Sequence, residues 1–124
     1  MAYYLEFKLD GLPKTTNAKR GFGHWAQYYR ESVKWKKSLI PYFTSMKPSK
    51  PLKKARLTLT RYSSSQPDYD GLVSSFKHVI DALVDAGILE NDKPQNIGRS
   101  TYTWEKAEKN KGYIRVLVEE IEGY

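Results

Sequence analysis

Two kinds of hydrophobic spacing alternate along this chain of 124 residues. Apolar and polar side chains alternate in four segments, which is the period of a strand with one buried face. This pattern predicts strands at residues 3–9, 56–62, 97–104 and 113–121. Between the strands, apolar residues recur every three or four positions, which is the period of an amphipathic helix. We therefore expect one α+β domain over residues 1–124, with a mixed four-stranded sheet and two main helices in the order β-α-β-α-β-β.

The two helices have recognisable ends in the sequence. The first is expected over residues 25–40 and should stop at Pro41, because proline cannot continue the hydrogen-bonding of a helix. The second should run without a break to Gly87, a common C-terminal stop. Its apolar stripe consists of Leu72, Phe76, Val79, Ile80 and Leu83. An acidic turn at residues 88–94 should follow, and residues 105–112 should form a hairpin between the last two strands.

The chain contains no cysteine. Disulfides, thiolate zinc sites and a cysteine nucleophile are therefore excluded, and a reducing cytoplasm is the expected location. No secretory signal is visible, and no apolar run approaches the roughly 20 residues of a membrane-spanning helix. We expect a soluble protein.

The positive charge is concentrated in the first half of the chain. The formal net charge is +7; residues 1–62 contain 14 Lys and Arg against 3 Asp and Glu, whereas residues 63–124 contain 7 against 11. Such an excess favours nucleic acid as a partner, although a lysine-rich surface also serves solubility. The polar loop with Asn17, Lys19 and Arg20 is the candidate DNA contact. The lysine-rich residues 44–54 either follow a phosphate backbone or form a solvated loop.

Two carboxylates precede the second helix. Asp68 and Asp70 are two residues apart in what should be extended chain, so both side chains can face one cation. Magnesium prefers such oxygen ligands, with water and substrate phosphate completing its shell. The alternative is structural, because acidic residues before a helix are often only caps in a turn.

The helix period aligns a lysine with these carboxylates. At about 100° per residue, Asp70, Lys77 and Asp81 share one polar stripe. A lysine beside a carboxylate site could bind a scissile phosphate and stabilise developing negative charge. Lys77 and Asp81 could equally form an ordinary surface pair, because they are four residues apart.

Residues 67–92 resemble the signature of the RusA-type Holliday-junction resolvases. The matching residues, in order, are Asp68-Tyr69-Asp70-Gly71-Leu72, then Lys77, then Asp81-Ala82-Leu83, Gly87 and Asn91-Asp92. Gly71 stands where the family usually has asparagine, and the spacing from Asp70 to Lys77 is longer by about one helical turn than in the best-known member. Lys77 should therefore keep its face of the helix but lie further from the carboxylates.

The resemblance implies both a reaction and its residues. Asp68, Asp70 and Asp92 would be catalytic and would bind magnesium, for which manganese can substitute, and Lys77 would be the catalytic lysine. The implied enzyme is a homodimer that cuts four-way DNA junctions on two strands during recombination and repair, in a bacterium or encoded by a prophage. The alternatives are a non-catalytic module that binds branched DNA and a nucleotide phosphohydrolase. The absence of a glycine-rich phosphate loop counts against the phosphohydrolase.

Overall fold

The computed structural model describes residues 3–11 and 22–121, with the backbone alone at residues 22–29, 31 and 32. The elements are β1 (Tyr4–Asp10), α1 (Phe22–Thr44), β2 (Ala55–Ser63), α2 (Tyr69–Ser75), α3 (Lys77–Asp85), α4 (Pro94–Ile97), β3 (Thr101–Lys106) and β4 (Tyr113–Glu120). The predicted α+β class with a mixed four-stranded sheet is confirmed. The second predicted helix is divided into α2 and α3, and the short α4 was not predicted. No helix in the described ranges combines the length and apolarity needed to cross a membrane.

The strands lie in the order β1-β4-β2-β3. Strand β4 is antiparallel to both β1 and β2, whereas β3 is parallel to β2. The predicted hairpin between the last two strands is therefore wrong, because β3 and β4 lie on opposite sides of β2. Residues 107–112 instead pass the end of β2, where the Ala107 amide donates to the Ser63 carbonyl over 2.9 Å. The parallel pairing of β2 and β3 requires a long crossover, and this crossover contains the candidate site.

The alternating strand residues form one side of the core, as predicted. Leu57 and Leu59 of β2 are fully buried, and so are the inward residues of β4, Ile114, Val116 and Val118. The helices cover this face with the predicted apolar stripe, all of whose members are buried. Burial of each such side chain is worth about 1.5–3 kcal/mol, so the stripe and the sheet face together place α2 and α3.

The first helix continues through Pro41 to Thr44, so its predicted stop was wrong. Leu39 and Phe43 lie on either side of the proline and are both buried, while Pro41 itself is exposed. The ring of Phe43 packs against Phe7 of β1 with centroids 4.9 Å apart. Tertiary packing of the last turn thus outweighs the local cost of the proline.

Helices α2 and α3 are separated at Phe76, whose backbone has φ −96° and ψ 0°. The Phe76 amide donates to the Val73 carbonyl over 3.2 Å, a tighter turn than that of an α-helix. The Phe76 side chain is fully buried and its ring lies 6.1 Å from that of Tyr102. The continuous helix was therefore a wrong prediction, and the angular alignment of Asp70 with Lys77 does not follow from helix geometry.

Candidate active site

Asp68 caps the beginning of α2. Its backbone is extended, with φ −68° and ψ 167°, and its Oδ1 accepts a hydrogen bond from the Gly71 amide over 2.8 Å. This is the N-cap arrangement that satisfies an otherwise unpaired amide of the first turn. Asp70 follows in that first turn and is exposed. Asp68 therefore has a capping role, and the other oxygen of its carboxylate is not needed for the cap.

Lys77, the first residue of α3, lies between two carboxylates. Its Nζ is 3.2 Å from Oδ1 of Asp81 and 3.8 Å from Oδ2 of Asp92. The contact with Asp81 is the expected pair of residues four apart on one helix. The contact with Asp92 joins the first residue of α3 to the segment that follows this helix. About half of the Lys77 side chain is exposed, and Asp92 is exposed to 39%, so both remain accessible to a ligand.

The chain returns to Lys77 because α3 ends in a defined motif. Gly87 has φ +87°, a left-handed conformation that glycine adopts without steric cost. The Gly87 amide donates to Val84 and the Ile88 amide donates to Leu83, which is the Schellman pattern. Ile88 and Leu89 are then buried, so the chain runs back along the helix and brings Asp92 beside its first residue.

Tyr102 marks the place where three segments meet. The pKa of its phenol is raised above the usual value, first because the side chain is partly buried and then because Tyr69 and Asp92 add negative charge nearby, while Lys77 opposes the shift. Tyr69 stands between Asp68 and Asp70, so the start of α2 shares a neighbourhood with Lys77 and Asp92. The sequence analysis did not single out Tyr102. The alternation of Tyr102 and Trp104 could have indicated an inward position, but the parallel pairing with β2 that sets its place has no local signal.

A buried cation on β2 was also missed. Arg61 is only 9% exposed, and burial lowers the pKa of its guanidinium. It follows Leu57 and Leu59 at intervals of two, so the strand period could have indicated its inward position. Asn17, Lys19 and Arg20, the predicted DNA contacts, lie outside the described residues.

The donor types suit magnesium, but no complete ligand set is formed. In the described part of the chain, no three His, Asp or Glu side chains are arranged to hold a metal ion. One oxygen of Asp68 serves the N-cap, and Asp92 faces an ammonium group. Magnesium is usually held by one or two carboxylates with water and substrate phosphates, so hard oxygen donors beside a lysine fit its chemistry. The structure brings together Lys77, Asp81 and Asp92, with Tyr69 and Tyr102 beside them.

No protein-family model matches the sequence, and a comparison with curated proteins found no match either. The signature in residues 67–92 and the geometry around Lys77 are therefore the grounds for a functional proposal.

Proposed function

We propose that this chain is a magnesium-dependent, structure-selective endodeoxyribonuclease. It resolves Holliday junctions and related branched DNA by hydrolysing phosphodiester bonds on two strands. The observation that carries the proposal is the approach of Lys77 to Asp92, with Nζ 3.8 Å from Oδ2, next to the start of α2. Lys77 and Asp92, two residues that the resemblance to RusA-type resolvases marks as functional, are thus neighbours with partly exposed side chains, which supports the proposal.

The proposed roles follow from the chemistry of each group. Asp68, Asp70 and Asp92 would hold the metal, Asp68 through the oxygen that its cap leaves available. The chemistry that bound magnesium supplies is activation of a water and neutralisation of phosphate charge. Lys77, held by Asp81, would bind a non-bridging oxygen of the scissile phosphate, where a fixed cation stabilises charge that develops as the bond breaks.

The symmetry of the proposed substrate favours a dimeric enzyme. A four-way junction has two-fold symmetry, and two cuts related by that symmetry need two active sites related by the same axis. We therefore propose a homodimer. The resemblance to RusA-type resolvases supports a bacterial or prophage origin, and the lack of cysteine supports action in the cytoplasm.

A second function is favoured by a specific observation. The hydrogen bond from Gly71 to Asp68 and the ion pair between Lys77 and Asp81 account for these residues without any catalysis. On that reading the chain is a non-catalytic module that binds branched DNA, and its carboxylates only shape the turn and the helix start.

Substitution of Asp70 separates the two functions. We expect Asp70→Asn to abolish nicking of a four-way junction while junction affinity stays equal or rises, because a charge that repels phosphate is removed. The matched control is Asp85→Asn at the end of α3, which removes one carboxylate from a partly exposed pair with Lys36 of α1 at 3.1 Å and should cut normally. If Asp70→Asn cuts the junction as well as the wild-type protein does, the metal-site hypothesis is contradicted.

A further inference from the structure

The connector between α1 and β2 carries a cluster of lysines that the proposed catalytic step does not use. Lys47, Lys50, Lys53 and Lys54, here called the lysine edge, fall within residues 47–54. The first three side chains are exposed and Lys54 is partly exposed. Among the ion pairs of the described residues, none involves Lys47, Lys50 or Lys53. Three of the four lysines thus form no ion pair with a carboxylate of the part of the chain that the structure describes.

The backbone of the lysine edge is held in place on both sides. The Leu52 amide donates to Ile88 over 2.9 Å, and the Leu52 carbonyl accepts from Glu90 over 2.9 Å. The carbonyls of Lys53 and Lys54 accept hydrogen bonds from the Asn96 side chain and the Ile121 amide, at 2.8 Å and 3.0 Å. Leu52 is itself buried. Lys53 and Lys54 thus extend from a fixed backbone, which lowers the ordering cost of binding an extended ligand.

A groove of about 700 Å³ runs along this segment. Its cationic part is formed by Lys50, Lys53 and Lys54, and its apolar part includes Tyr3, Pro48, Pro51, Leu52 and Ile121. Glu120 also lines the groove, but one of its oxygens accepts a hydrogen bond from the Tyr3 amide at 2.9 Å. An apolar floor with lysines along it suits a sugar-phosphate backbone, which combines an apolar sugar surface with regularly spaced negative charge.

The lysine edge is joined directly to the segment that carries Asp92. Leu52 forms a parallel bridge with Leu89, three residues before Asp92. One inter-strand step of about 5 Å and at most four residues of extended chain separate Lys53 from Asp92, a Cα path of no more than about 20 Å. Because one strand of B-DNA places a phosphate every 3.4 Å of helix axis, about six nucleotides span that distance.

We propose that the lysine edge binds the phosphate backbone of a DNA arm next to the candidate active site, without reading its sequence. This inference rests on the proposed DNA substrate and adds the surface that holds it. Each lysine that neutralises a phosphate releases condensed counterions, so the lysine edge should supply a measurable part of the salt dependence of binding.

The test compares two double variants with the same change in charge. Lys50→Gln with Lys53→Gln removes two charges from the lysine edge. Lys109→Gln with Lys111→Gln removes two exposed charges from residues 107–112, which adjoin the last residue of β2, whereas the lysine edge adjoins the first. The nine residues of β2 separate these places by about 30 Å. Circular dichroism and thermal unfolding are used to check that each variant is folded.

Binding of a labelled four-way junction is measured by fluorescence anisotropy in EDTA over a range of salt concentrations. For the lysine-edge variant, we expect the slope of log K against log salt to become shallower by about 1.8, and the affinity at about 0.1 M salt to fall more than tenfold. The control variant should change the slope by less than half as much. Equal losses in the two variants, or an unchanged slope in the first, would overturn the assignment.

Cleavage in magnesium is measured separately on the same proteins. If wild-type protein does not nick the junction but its binding depends on Lys50 and Lys53, the lysine edge stands and the nuclease proposal fails. If wild-type protein nicks the junction and the lysine-edge variant binds like the control, the nuclease stands and this inference fails. Wild-type protein that binds no DNA would overturn both.

Discussion

At the scale of single residues, Tyr102 reports on the electrostatics of the candidate site. Burial and the nearby Tyr69 and Asp92 raise the pKa of its phenol, so the folded chain holds this proton more tightly than the unfolded chain does. The corresponding contribution to stability is fully present below the ordinary tyrosine pKa of about 10 and is lost as the pH rises through the folded-state pKa.

Tyr102→Phe should therefore reduce the loss of unfolding free energy at alkaline pH. Denaturant unfolding of wild-type protein and variant at about pH 8 and about pH 11 measures the effect. Tyr4→Phe is the matched control, because it removes the hydroxyl of a tyrosine that is 62% exposed. The same alkaline loss in wild-type protein and Tyr102→Phe would show that this phenol is not coupled to folding.

The contacts of some site residues could be predicted from the sequence, and those of others could not. The capping role of Asp68 was an open alternative because an acidic residue before a helix is a known local pattern. The contact of Lys77 with Asp81 was also open, since residues four apart on a helix are neighbours. The contact of Lys77 with Asp92 was not derivable from spacing, because it depends on the path of residues 86–92 after the helix. Only the family resemblance put Asp92 with the other site residues.

At the scale of elements, the burial pattern was predictable and the breaks were not. The alternation in β2 and β4 indicates which side chains face the core, and so does the apolar stripe of the second predicted helix. Both patterns are visible in the local sequence. The break at Phe76 leaves no such mark, because Phe76 belongs to the buried stripe whether the helix is continuous or divided. The extension of α1 past Pro41 depends on contacts of Phe43 with Phe7 from another element. Strand pairing is likewise non-local. The hairpin was predicted because β3 and β4 are consecutive in the sequence, but β2 lies between them in the sheet.

The start of α2 gives a way to separate a structural from a catalytic role. Asp68→Ser keeps an oxygen that can cap the Gly71 amide, so its unfolding free energy should stay within about 0.5 kcal/mol of wild type. Asp68→Ala removes the cap and should cost about 1 kcal/mol. If the carboxylate also binds metal, both variants should lose junction cleavage in magnesium. Denaturant unfolding and a nicking assay measure the two effects, and wild-type cutting by Asp68→Ser would limit Asp68 to its capping role.

At the scale of the whole molecule, the crossover from β2 to β3 assembles the site. It contains α2, α3 and the Schellman motif at Gly87, and its Leu89 forms a bridge with Leu52, which precedes β2; together these bring Asp92 to Lys77. The same bridge attaches the lysine edge to the acidic segment. The charge asymmetry read from the sequence thus has a structural counterpart: the lysine edge comes from the basic half and the candidate site from the acidic half.

The most direct test of this account is the pattern of nicks in a synthetic four-way junction labelled in turn on each strand. Purified protein is incubated with the junction in magnesium and, in parallel, in EDTA. We expect paired nicks at symmetry-related positions on two opposing strands in magnesium and none in EDTA. Stable binding without nicks in either condition would contradict the account and leave a DNA-binding module.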